Sequence, residues 1–198
     1  MPIRARNGEA AALNQSTAMD ASTKTLPEAD TVWAWLEGVC DPEIPVVNLR
    51  EMGILREVNV GPDRVTVVIT PTYSGCPAMS QMQSDVEAAL QSHQIPHDVV
   101  VRLSPAWTTD WMTDEAKTKL RDYGIAPPQR CHDGSSMGSG RESLLRFVRQ
   151  AVQPLADVPC PRCGSLDTVV SSEFGSTACK SLHRCLACKE PFDHFKAI

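Results

Sequence analysis

Clustered positive charge is the first thing missing. The chain has 198 residues, with 19 Lys and Arg against 24 Asp and Glu, for a net charge of −5. A general polyanion binder needs grouped cations on phosphates, so no nucleic-acid partner is expected. Long apolar runs are missing as well. None approaches the roughly 18 residues of a membrane span, so no membrane partner is expected either. The first 25 residues, MPIRARNGEAAALNQSTAMDASTKT, lack the apolar core of a secretory signal. Residues 1–26 are read as a polar, disordered leader, with Met19 as an alternative start, and a cytoplasmic location is expected.

Charge is also unevenly spread. Residues 1–140 carry 11 basic and 18 acidic side chains, net −7, while residues 141–198 carry 8 and 6, net +2. Two modules are therefore expected. What the chain does have is cysteine, eight in all. In a reducing compartment, cysteines at regular spacing bind metal more often than they form disulfides.

Residues 27–39 predict a helix, with Asp30 near its start and Val32, Trp33, Leu36 and Val39 at three- and four-residue steps. DPEIPVVNLREMG (41–53) has two prolines and no period, and reads as an ordered loop. ILREVNV and RVTVVIT flank Gly61-Pro62-Asp63 as a β-hairpin. A second helix is expected from Pro77 to Ser92, with Met79, Met82, Val86 and Leu90 along one stripe. That stripe is read as core packing. HDVVVRLS (97–104) is a third strand, and Thr113 caps a helix running to Tyr123. The order α-β-β-α-β-α over residues 27–125 defines a small two-layer α/β sandwich. Residues 126–140, rich in Pro, Gly and Ser, read as a linker. A short amphipathic helix (141–152) with Leu144, Leu145 and Val148 then opens a C-terminal unit spanning 141–198.

CPRC (160–163) and CLAC (185–188) form two C-x2-C pairs. Two such turns brought together make a closed S4 tetrahedron, the geometry Zn2+ takes in ribbons. Gly164 supplies the positive φ the first turn needs. So short a segment with few apolar residues needs a staple of this kind to fold. Cys160, Cys163, Cys185 and Cys188 are thus the expected ligands of a structural zinc. Iron in the same ligand set is the competitor, since S4 geometry does not exclude it. Cys179 and His183 lie between the pairs and are not needed by a four-cysteine set. Cys179, beside Lys180, is either an activated thiol or a buried one.

One thiol stands apart, in PTYSGCPAM (71–79). Pro77 suits a first helical position, which would put Cys76 at the helix start, where the dipole and free N–H groups favour thiolate. Such a thiol is a nucleophile, a soft-metal ligand or inert packing. His93 and His97 are poorly placed as its base, which weakens the nucleophile reading. Asp41 and Glu43 are candidate second ligands or orienting carboxylates, or simply solvated loop charges. Cys40 reads as a small buried hydrophobe and Cys131 as incidental.

Three segments, DPEIPVVNLREMGIL, TPTYSGCPAM and WTTDWMTDEAK, together resemble the small α/β domain of iron–sulfur assembly factors over residues 27–125. With FGSTACKSLHRCLACKEPFDHFK added, the chain is similar to a phenylacetate-degradation family that accompanies the multicomponent oxygenase epoxidising phenylacetyl-CoA. The resemblance implies that Cys76, with Asp41 and Glu43 in the acidic loop, handles iron or an iron–sulfur cluster transiently. It also implies that the four paired cysteines hold the zinc of a ribbon. The chain has neither a di-iron Glu-x-x-His set nor a dinucleotide fingerprint, so it is not expected to carry out the oxidation. Two readings follow: a maturation factor delivering an iron–sulfur cluster or iron to the epoxidase, or a non-catalytic structural subunit of it. The oxygenase and reductase subunits are the expected partners. One thiol is too few for a cluster, so Cys76 is expected to share its cargo with a second copy in a homo-oligomer, with Cys179 or with a client.

Overall fold

A computed structural model describes residues 26–129 and 158–198. Residues 1–25 of the expected leader, most of the linker, the helix at 141–152 and Cys131 lie outside the described residues.

Helix α1 spans Ala29–Leu36 and buries Val32 and Leu36, the two residues one helical turn apart on its apolar face. Strands β1 (Leu55–Val60) and β2 (Val65–Ile69) form the antiparallel hairpin. Helix α2 (Met79–Ser92) buries Met82, Val86 and Leu90, so the methionine stripe is core. It crosses over to β3 (His97–Val101), which lies parallel to β2 and completes a sheet of order β1-β2-β3. A single 3-10 turn, Thr109–Trp111, precedes α3 (Asp114–Tyr123). The Thr113 hydroxyl caps α3 by accepting from the Ala116 N–H at 3.1 Å, and Gly124 ends it at φ 101°. The helices α1 and α2 thus face a three-stranded sheet over a core of Val32, Leu36, Val47, Leu49, Val65, Val67, Ile69, Val86 and Leu90. Each such side chain contributes roughly 1.5–3 kcal/mol on burial.

Beyond this sandwich, a two-residue strand, β4 (Ile125–Ala126), continues directly from α3. The ribbon supplies β5 (Thr168–Ser172), β6 (Lys180–Cys185) and β7 (Pro191–Phe195). The second sheet runs β4-β7-β6-β5, with β4 parallel to β7. The ribbon therefore grows on a strand of the preceding domain. Its last aromatic, Phe195, and Cys179 join the main core, and Phe195 packs 5.9 Å from Trp107 between ring centroids. The backbone N–H of Thr109 donates to the Ile198 carbonyl at 3.1 Å, tying down the last residue. A second small cluster, Ala126, Val158, Cys160, Cys185 and Phe192, lies under the ribbon knuckles.

Candidate functional site

The two C-x2-C turns converge. Sγ of Cys160 lies 3.7 Å from that of Cys188, and Sγ of Cys163 lies 3.6 Å from that of Cys185. All four sulfurs fall within 4.8 Å of one another. Four thiolates about 2.3 Å from a tetrahedral Zn2+ have S···S edges of about 3.8 Å, so the quartet fits zinc. Gly164 sits at φ 74°. The Cys188 N–H donates to the Cys185 sulfur at 3.5 Å. Backbone N–H groups, Cys188's first, pull the Cys185 thiol down to about 7. The Glu190 N–H favours a Cys188 thiolate, but desolvation and then the sulfurs of Cys185, Cys163 and Cys160 outweigh it and hold Cys188 up at about 12. Only a cation lets all four ionise together. His183 takes no part: it is buried, with Nε2 3.0 Å from the Ser181 hydroxyl.

A second group of chemically capable side chains gathers where the ribbon meets the sandwich. From the sandwich come Asp41 and Glu43 in the loop after α1, and Tyr73 and Cys76 in the turn before α2. From the ribbon comes Cys179, one residue ahead of β6. Asp41 is buried, and its Oδ1 accepts from the N–H groups of Glu43 (2.7 Å) and Ile44 (3.1 Å). That turn is pinned inward by Ile44, Val47 and Leu49, and it leaves Glu43 exposed. Cys179 is 7% exposed, bonds the Thr177 hydroxyl at 3.1 Å and offers its carbonyl to the Lys196 N–H at 2.9 Å.

These groups feel one another. Burial pushes the half-buried Cys76 thiol up; the Ala78 N–H opposes this, while Cys179, Glu43 and Asp41 push it further. Burial likewise raises Cys179, against the Thr177 hydroxyl and Lys180, and Glu43 and Asp41 add to the rise. The expectation of a thiolate at a helix start is therefore corrected. α2 begins at Met79, three residues after Cys76. The one helpful N–H is outweighed by burial and by three nearby groups that are, or become, anionic. Lys180 does not win at Cys179 for the same reason. Both thiols are therefore pushed toward the protonated form. Among the described residues, the ribbon quartet is the group of three or more Cys, His, Asp or Glu within mutual ligating distance. The junction group is looser.

His93 stacks on Trp35 at 3.7 Å, and His97 hydrogen-bonds the Ile95 carbonyl at 2.8 Å, so neither faces Cys76 as a base. Cys40 is half-buried, its sulfur 3.8 Å from the Gly38 carbonyl. Tyr73 is the member of the group that sequence reasoning misses, although it stands in the same PTYSGC turn. A phenol three residues ahead of a thiol is the available signal.

The structure thus joins a ribbon with an S4 site to an α/β sandwich that carries a thiol ahead of its second helix. Comparison with known proteins gives both parts a family. The family model described as iron–sulfur cluster assembly protein matches residues 29–103, and the PaaD zinc beta ribbon domain matches residues 147–196. A protein of Escherichia coli (strain K12), provisionally assigned as one of the subunits of 1,2-phenylacetyl-CoA epoxidase, is 43% identical over 175 residues, covering 87% of this chain and 94% of its own length. The chain belongs to that PaaD family. An Fe-S protein maturation auxiliary factor of Porphyromonas gingivalis (strain ATCC BAA-308 / W83) is 39% identical over 88 residues, covering 43% of this chain and 83% of its own. A crystal structure of a domain of unknown function from Bacillus anthracis covers 46% of this chain and 90% of its own, at 29% identity and a TM-score of 0.44. No helix among the described residues is long and apolar enough to cross a membrane.

Proposed function

We propose that this protein is a maturation factor that delivers an iron–sulfur cluster, or iron, to the phenylacetyl-CoA epoxidase system, and that it performs no oxidation itself. Cys76 is the transient ligand, Cys179 shares the cargo from the ribbon side, and Asp41 and Glu43 line the approach. The observation that carries this reading is that Cys76 packs against the core cluster to which Cys179 belongs, with two carboxylates acting on both thiols. The four ribbon cysteines hold structural zinc, and the zinc keeps Cys179 in place. Two thiols are still fewer than the four ligands a cluster commonly takes. The remaining positions are filled by sulfide, by the client or by a second copy, so binding is labile and transfer is open. The oxygenase and reductase subunits are the partners, in a cytoplasmic setting.

The test is maturation of the oxygenase and reductase, made anaerobically with wild-type protein, with Cys76→Ser, or without either. The wild type raises client iron, sulfide and epoxidase activity, and Cys76→Ser does not. Full maturation by Cys76→Ser, with the protein still co-purifying in fixed ratio, would establish the structural-subunit reading instead.

A further inference from the structure

The two edges of the sandwich sheet differ in how they are protected. Its order β1-β2-β3 leaves β1 and β3 outermost. β1 carries Arg56, Glu57 and Asn59 and a register shift between Leu55 and Glu57, devices that keep an edge from pairing with another chain. β3 keeps an unbroken register with β2 from His97 to Val101. It holds Val99, Val100 and Val101 in a row, the last two each 42% exposed. The Pro96 carbonyl accepts from the Val65 N–H, and the Arg102 N–H donates to the Ile69 carbonyl, both at 2.9 Å. The even-numbered residues therefore turn their backbone groups toward β2, and His97, Val99 and Val101 turn theirs outward. Among the described residues no strand lies against them.

A twofold axis decides what such an edge would meet in a second copy. Antiparallel pairing about Val100 sets Val99 opposite Val101 of the second copy as a hydrogen-bonded pair, with the two Val100 side chains facing across the axis. It also sets Asp98 opposite Arg102 of the second copy, twice, in non-hydrogen-bonded positions where Cα atoms approach to about 4.5 Å. An axis at Val99 would put Asp98 against Val100 instead, and an axis at Val101 would put Arg102 there. Both charges are half-exposed on the sheet: Arg64 bonds Asp98 at 2.8 Å, and Glu57 bonds Arg102. Pairing would extend these into rows of alternating sign, Arg64–Asp98 of one copy running into Arg102–Glu57 of the other. We propose that β3 is a self-recognition edge. Two copies join antiparallel about Val100, two three-stranded sheets become one of six strands, and the Asp98–Arg102 pairs fix the register. The contact needs neither iron nor sulfide, so it stands apart from the cargo reading. Few side chains are buried in it, so the dimer is reversible and concentration-dependent.

The full chain, zinc-loaded and without iron or sulfide, is followed by sedimentation velocity and by hydrogen exchange at the Val99 and Val101 amides. Wild type is expected to pass from monomer to dimer as concentration rises, and both amides to gain protection with it. Asp98→Lys and Arg102→Asp each set like charges opposite one another twice per dimer, and each should weaken self-association at least about tenfold. Mixed in equal amounts, the two variants should form a dimer again, because each introduced charge then meets its opposite. Val101→Pro removes an N–H that faces away from β2, so circular dichroism is kept and the dimer is lost. A wild type that stays monomeric at every concentration would overturn the proposal, whether its two amides exchange freely or are covered by another segment of the chain. So would a dimer that tolerates all three substitutions, or a mixture of the two charge variants that stays monomeric. A dimer lost in Cys76→Ser would place the contact at the cargo site and overturn it as well.

Discussion

Phe195, the last residue of β7, stacks at a 57° tilt against Trp107, whose indole N–H donates to the Met52 carbonyl at 3.0 Å. This pair joins the ribbon to the sandwich core. Phe195→Ala should cost about 3–5 kcal/mol, the range for emptying a buried aromatic position. Urea unfolding monitored by Trp fluorescence checks the loss. Alkylation mass spectrometry should show Cys179 gaining reactivity faster than Cys76.

Metal removal should act at a distance. Stripping the quartet with an organomercurial and a chromogenic chelator should release one zinc per chain and unfasten β6, which runs from beside Cys179 into Cys185. Cys179 should then label at near-solvent rates while α1 and α2 keep their helicity. Protection of Cys179 after complete zinc loss would show that the sandwich alone holds it.

The two junction thiols should be coupled. Because Cys179 helps to push Cys76 up, Cys179→Ser should lower the Cys76 pKa and speed its alkylation at neutral pH, read from the pH profile of iodoacetamide labelling. Burial remains the leading cause at Cys76, so its reactivity should still lag behind that of a free thiol.

Acid should weaken the ribbon through His194. Burial, then His183 and Lys196, hold its pKa down to about 4, against 6.5 when unfolded, and its Nε2 is buried with no hydrogen-bond partner. Because the folded state disfavours the charged ring, the contribution is fully present above about 6.5. It is lost as pH falls from there to about 4. His194→Leu should flatten that part of the wild-type difference in urea midpoints.

Gly53 should tolerate nothing larger. It lies at φ 70°, and a Cβ there would stand 2.6 Å from Trp111 Cβ. Gly53→Ala should therefore cost well over about 1 kcal/mol, measured by thermal unfolding.

Much of this is readable in the sequence because it is local. The steps Val32–Leu36 and Met82–Val86–Leu90 mark buried helix faces, Thr113 marks a cap, and the C-x2-C pairs with Gly164 mark the ribbon. What escapes depends on distant packing. Two residues at Ile125–Ala126 carry no strand signal until β7 arrives beside them. The direction of the Cys76 shift is set by burial and by Cys179, more than a hundred positions away, while the local helix-start argument sees only the Ala78 N–H.

Ala126 and Val158 are buried in the same small cluster, and β4 pairs with β7. Residues 26–129, which bear Cys76, and residues 158–198, which bear Cys179, should therefore associate through β4 and β7 when supplied as two polypeptides, and rebuild the junction by complementation.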